Sequence, residues 1–289
     1  MNCIMKAILF SVLILTPLSV IEAQQPKSNP DSASAGAWQK LDKGLELGIF
    51  SSPQPAEWGD SLIRILRIDP HFFKFELLNA SAIKNGSTLT AKQWCRQNGL
   101  VAAINASMYQ TDYKTSVSLM RTKKHTNNPR LSKDKTILAF DRLTPNTLWV
   151  KIIDRQCEDF KLWKKKYGTF VQSIRMISCK GENVWRQQPK KWSTAAIGTD
   201  RQDRVLFIHV GSAYSTHDLI NILQQLPINI SRAMYAEGGP QAQLYVRSGI
   251  NEHEFVGSFE LNLNENINNP VFWPIPNVVG ISVRKHKAQ

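Results

Sequence analysis

The chain is short of cysteine, histidine and acid. It has four cysteines and six histidines among 289 residues, with no CxxC pair and no HExxH. A zinc site therefore has no motif to rest on. No stretch beyond the first two dozen residues is apolar for the ~20 residues a membrane helix needs, so no stable span is expected. Internal repeats and low-complexity breaks beyond Trp38 are lacking too, which favours one domain over two.

Acid is scarce against base: 23 Asp+Glu face 36 Lys+Arg, a net charge of +13. Such an excess raises the local concentration of anionic partners whatever the fold. The densest basic run, Lys161 to Lys166, reads as a solvated face.

The N-terminus carries Lys6, then an apolar run from Ala7 to Leu15 that continues past Pro17 to Val20 and Ile21, then the small Ala23. A charged start, a short apolar core and a small residue at the cut predict a signal peptide over 1–23. Cys3 precedes the apolar core, the wrong place for a lipid-modified cysteine at a cut site. Residues 24–37, rich in Ser, Pro, Ala and Gln, read as a flexible leader, and 38–289 as the folded domain. The expected location is exported, periplasmic or secreted. Partners there would be phosphate-bearing glycans or other anionic envelope polymers, and export argues against nucleic acid. Cys95, Cys157 and Cys179 survive cleavage. Cys157 with Cys179 is the preferred disulfide, because Cys95 lies in a helix-like segment.

Leu45 to Phe50, Leu62 to Ile68 and Phe72 to Leu78 are β-rich runs between Pro and Gly punctuation. Thr88 or Thr90 caps a helix running to Gln97, which Asn98-Gly99 stops. Apolar LVAAIN follows, Leu100 to Asn105. Thr194 to Gly198 and Val205 to Val210 read as neighbouring buried strands. Ser215 caps a helix from Thr216 to Gln225, which Pro227 ends. Asn277 to Val283 reads as a closing strand. Strands outnumber helices, predicting an α+β domain on a mixed, mostly antiparallel sheet with a few packed helices.

Two segments place polar residues where an apolar strand ends: INASMYQTD, Ile104 to Asp112, and MYAEGGPQAQLYV, Met234 to Val246. Ligand sites often collect at such ends. Glu237 precedes two glycines, which let backbone approach a ligand closely. A carboxylate there suits acid, base or nucleophile work, or a turn in which it only binds backbone amides. His209 sits inside an apolar strand and reads as a core histidine. His217 and Asp218 open a helix, so no triad is built from them.

Taken together, INASMY, FVQSIRMISCKGENVW (Phe170 to Trp185), STAAIGTD (Ser193 to Asp200), VLFIHV with its following helix, YAEGGPQAQLYV and PNVVGI resemble, in order, segments of the phosphodiester glycosidase family. The resemblance spans Trp38 to Arg284. It departs from the family where Glu237 replaces Asp, where Pro240 and Gln241 replace Gly-Ser, and where Ser193 or Thr194 stands in place of an arginine. Asn105-Ala106-Ser107 also replaces a glycine-rich turn.

The resemblance implies hydrolysis of a sugar-1-phosphodiester between the anomeric carbon and the phosphate oxygen. The alternative is a non-catalytic binder of anionic glycan on the same fold. Glu237 would serve as base or nucleophile, with Asp112 a second carboxylate or a turn cap. Asn105 would bond the sugar or orient Glu237. Arg175 would clamp phosphate or lie on the rim, and Tyr109 and Tyr235 would stack on a sugar or pack. Thr194, Gly238, Gly239 and Gln243 complete the expected substrate contacts. No cofactor is expected, and the sequence leaves a divalent ion at the phosphate open.

Overall fold

The computed structural model describes residues 38–258 and 272–285. The signal peptide and the leader lie outside the described residues. Three antiparallel sheets share one apolar interior. In spatial order, sheet A holds Trp38–Asp42, Leu45–Ser51, Leu62–Ile68, Val205–Tyr214, Trp192–Asp200, Ile230–Gly238 and Arg175–Ile177. Sheet B runs Thr126–Asn128, Met120–Arg121, Tyr167–Ser173, Thr136–Arg142 and Lys151–Asp154. Sheet C runs Asn251–Val256, Gln243–Ser248, Ala102–Asn105, Asn277–Val283 and Phe73–Asn79. The α+β class holds, with the strands divided among three sheets.

Strand periodicity explains the layering. In Val205–Tyr214, Val205 and Phe207 enter the interior common to the three sheets, where Phe75 and Ile104 of sheet C and Leu138 and Val171 of sheet B meet them. Leu206, Ile208 and Val210 face the other way, onto Leu219, Ile220 and Leu223 of the helix Thr216–Gln225. A strand covered on both faces reads as an unbroken apolar run, which is how VLFIHV reads. Sheet C is covered outside by the helix Ala91–Asn98, through Trp94 against Ala103, Tyr245 and Val278.

The helix ends follow local chemistry. Of the two candidate caps, Thr90 is the one used: it accepts from Gln93 N–H, and Gln93 accepts from Thr90 N–H, a reciprocal box. Gly99, at φ 64°, takes the left-handed turn that ends the helix. Ser215 caps Thr216–Gln225 by accepting from Asp218 N–H at 3.1 Å.

His209 is buried in its strand, with Nε2 at 3.2 Å from the Ala242 carbonyl, and burial pulls its pKa down to about 3. It is neutral at pH 7 and part of the core. Cys157 and Cys179 form a disulfide, and Cys95 is free and buried beside Trp94.

The bridge closes a 22-residue separation. Removing it by C157S/C179S is expected to cost about 2–4 kcal/mol, chiefly by freeing the unfolded chain. A urea midpoint unchanged by the double substitution would contradict this.

Candidate active site

The two segments singled out in the sequence meet. Asn105 ends a central strand of sheet C, and its side chain is 1% exposed. Its Nδ2 donates to the Gln241 carbonyl at 2.9 Å, and its Oδ1 accepts from Gln243 N–H at 2.7 Å. One amide therefore satisfies a donor and an acceptor of the chain just past the double glycine, more than 130 residues away. Both polar ends of Asn105 are occupied by main chain, so its part in the site is to position the 237–243 segment. Gln243 is equally engaged: Oε1 accepts from Ala91 N–H and Nε2 donates to the Trp273 carbonyl.

Glu237 lies near the end of Ile230–Gly238. Ala195 pairs with Glu237 while Ala196 pairs with Tyr235, so Ala236 is an extra residue, a β-bulge. A bulge re-aims the side chain beside it and recurs near active sites. The carboxylate accepts from Gly238 N–H at 3.1 Å and has a further interaction with its surroundings. Gly238 is required by close approach: a Cβ there would sit 2.0 Å from the Tyr235 hydroxyl and 2.8 Å from Trp192 Cδ1. Gly239, at φ 65°, begins the short turn Gly239–Gln241.

Tyr109 joins Glu237 from the other segment. Burial, then the Glu237 charge, then Tyr113 push its phenol well above the ordinary tyrosine value, so it remains a hydroxyl donor across the working pH range. Its ring lies 6.0 Å from that of Tyr113. Tyr235 is nearly buried, 5.5 Å from the Trp185 ring.

Thr194 is opposite Gly238, fully buried, and its hydroxyl has no hydrogen-bond partner among the described residues. Trp192 was not singled out from sequence. Its indole nitrogen is also buried without a partner, and a Cβ on Gly238 would come within 3.0 Å of it. Buried polar groups left unpaired are costly and uncommon, and at a functional site they wait for a ligand. The signal was present in the sequence as an indole two residues before Thr194, but an aromatic at a strand start most often packs.

Two expected residues are engaged by other protein partners. Asp112 is exposed and caps its own turn: Oδ1 accepts from Lys114 and Thr115 N–H at 3.0 and 2.9 Å, and Oδ2 accepts from the Thr115 hydroxyl. Those bonds, the Thr115 hydroxyl foremost, hold its carboxyl below the usual range. Arg175 pairs with Met234, about 10 Å along the strand from Glu237. Its guanidinium grips both oxygens of buried Asp154 at 3.0 and 2.9 Å and reaches Gln156 at 3.0 Å. With the disulfide and Lys180 it borders a separate cavity of about 210 Å³.

Burial alone would raise the Asp154 carboxyl, but the amides of Gln156 and Cys179 and the Arg175 guanidinium outweigh it and hold it below 3.8. A depressed folded value contributes stability above the unfolded value, lost as pH falls through the folded one. Asp154→Asn is therefore expected to flatten the decline in stability as pH falls below the ordinary aspartate value of about 4. A slope equal to wild type would remove Asp154 from that role. Asn105→Ala leaves the Gln243 N–H and the Gln241 carbonyl without their partner, at an expected cost of about 1–3 kcal/mol in urea unfolding. A variant as stable as wild type would show that the clasp is not needed.

A model of the phosphodiester glycosidase family matches residues 98–282. The catalytic domain of zebrafish N-acetylglucosamine-1-phosphodiester alpha-N-acetylglucosaminidase, auto-inhibited by its pro-peptide, is similar in fold. The identity is 12%, covering 86% of this chain and 87% of that one, with a TM-score of 0.61. A hypothetical protein from Synechocystis is similar at 13% identity, over 87% of this chain and 65% of that one, with a TM-score of 0.56. No curated protein matches the sequence. With the family match covering Asn105, Tyr109, Thr194 and Glu237, the chain belongs to the phosphodiester glycosidase family.

Proposed function

We propose that this protein is an exported glycosidase that hydrolyses a sugar-1-phosphodiester between the anomeric carbon and the phosphate oxygen, with Glu237 as its carboxylate. The observation that carries the reading is the Asn105 clasp. It draws the chain after Glu237 against the strand that leads to Tyr109, inside the region the family model matches. The zebrafish relative is an N-acetylglucosamine-1-phosphodiester alpha-N-acetylglucosaminidase, which supports the same bond type.

The chemistry suits a site built on a single carboxylate. Glycosidases ordinarily use two, one of them to protonate a poor leaving group. A phosphate monoester leaves readily with the bonding electron pair, so that acid is dispensable. Asp112, occupied as a turn cap, is then not needed. Positive charge develops at the anomeric carbon, and Glu237 opposes it while accepting the proton of the attacking water. Water oxygen bonds to the sugar, and the former glycosidic oxygen stays on phosphate. The Tyr109 hydroxyl supplies a donor for sugar or phosphate oxygens. The substrate would be a phosphate-bearing glycan outside the cytoplasm, in keeping with Lys6 and the apolar run Ala7 to Leu15.

Glu237→Gln keeps the shape and removes the charge. It is expected to lower release of free sugar from a sugar-1-phosphodiester by about 10²–10⁴-fold. Release at the wild-type rate would take Glu237 out of the chemistry. Binding of the glycan with no product from the wild-type protein would favour the non-catalytic alternative.

A further inference from the structure

A cavity of about 520 Å³ lies at the opposite end of the strand Trp192–Asp200 from Glu237. It lies where loops of all three sheets converge. The turn Asp69–His71 joins sheets A and C, the loop from Arg142 to Val150 connects two strands of sheet B, and Gln202 to Arg204 form a hairpin tip of sheet A. Thr194 pairs beside Glu237 at one end of the strand Trp192–Asp200, and this hairpin begins at the other. Six residues of strand put the two places about 20 Å apart.

The cavity is organised by indoles and cations. The Arg142 guanidinium lies 3.3 Å from the centre of the Trp149 ring and that of Arg284 3.8 Å. Two planar groups cannot share one face at those distances, so they cover opposite faces and Trp149 holds them apart. Lys166 lies 4.6 Å over Trp163. A smaller neighbouring cavity shares Arg142 and Trp149 and adds Lys123 and Arg284.

Among the described residues, no carboxylate comes within ion-pair distance of Arg142, Arg284, Lys123 or Lys166. The nearby acids are committed or set aside. Asp69 bonds His71, Asp141 bonds the Thr169 hydroxyl, and Asp203 sits at the hairpin tip. Arg142 spends one nitrogen, Nη1, on the carbonyls of Pro145 and Thr147, which fixes the fork and leaves its other nitrogens without a protein acceptor among the described residues. The Arg284 Nε is buried without a partner. Burial, then the charge of Arg142, press the Arg284 pKa below its ordinary value, against a smaller opposing effect of the Asp141 carboxylate. Exposed Leu148 and half-exposed Trp163 add apolar surface to the lining.

We propose that this cavity is a second binding site, for a sugar bearing an oxyanion such as a phosphate group. The forked Arg142 and the Lys166 ammonium would take the oxyanion, with Lys123 adding charge from the adjoining cavity that shares Arg142, and Leu148 and Trp163 would take the sugar body. Stacking on indole keeps the guanidiniums extended and in place before the ligand arrives, which lowers the entropy lost on binding. A volume of 520 Å³ is ample for a monosaccharide phosphate. The site needs no turnover at Glu237 and would anchor a phosphate-bearing glycan at a distance from the cleaved bond.

The test is a calorimetric titration of the full protein with glucose 6-phosphate, with glucose as the uncharged control. Lys123 and Lys166 are both exposed, so K123E/K166E leaves the core untouched. Affinity for glucose 6-phosphate is expected to fall at least about tenfold in K123E/K166E. It should hold in K40E/K180E, a control with the same change in charge outside the cavity. Release of sugar from a small phosphodiester should be unchanged by either pair. On the wild-type protein, binding should weaken as salt rises, and glucose should not bind. Three outcomes overturn the proposal: no saturable binding of glucose 6-phosphate, equal affinity in K123E/K166E and wild type, or loss of small-substrate turnover together with binding. None depends on whether Glu237 is catalytic.

Discussion

One carboxamide joins the two halves of the candidate site. Asn105 is buried at the end of its strand, and its amide offers one donor and one acceptor in fixed geometry. Only a side chain with both functions, in that orientation, satisfies the Gln241 carbonyl and the Gln243 N–H at once. The turn that follows Glu237 is thereby held against sheet C, while Glu237 itself belongs to sheet A. The site is a seam between two sheets, and the clasp sets its width.

The other features of the seam follow from that constraint. With the 241–243 segment held, the chain between Ala236 and Gln241 has little freedom. It absorbs the strain as a bulge at Ala236 and a left-handed glycine at position 239. Gly238 has no room for a side chain between the Tyr235 hydroxyl and Trp192. The Trp192 indole nitrogen and the Thr194 hydroxyl, beside Gly238, are buried with no hydrogen-bond partner among the described residues.

Much of the fold was legible because local rules and tertiary demands agree. The helix Thr216–Gln225 and the strands Leu62–Ile68 and Asn277–Val283 fall where capping, period and punctuation put them. Cys157 and Cys179 pair between two turns, while Cys95 is buried within the helix Ala91–Asn98. The division into three sheets was not legible, since pairing partners far apart in sequence leave no local mark. Within the site, the convergence of Asn105, Tyr109 and Glu237 could be expected from strand ends and resemblance. For Asp112 the sequence left turn cap and second carboxylate both open, and it gave no sign of the Asp154 partner of Arg175. An arginine interrupting an apolar strand looks the same whether its partner is phosphate or Asp154, and an aspartate in a turn looks the same whether it faces a ligand or its own Thr115. Trp192 escaped notice because an orphaned indole nitrogen is a property of its neighbours.

The proposed reaction breaks a carbon–oxygen bond, and isotope placement reads that directly. Hydrolysis of a sugar-1-phosphodiester in water enriched in oxygen-18 should give a phosphate monoester free of label, with the heavy oxygen entering the sugar. Heavy oxygen in the phosphate product would mean attack at phosphorus, and the role proposed for Glu237 at the anomeric carbon would be wrong.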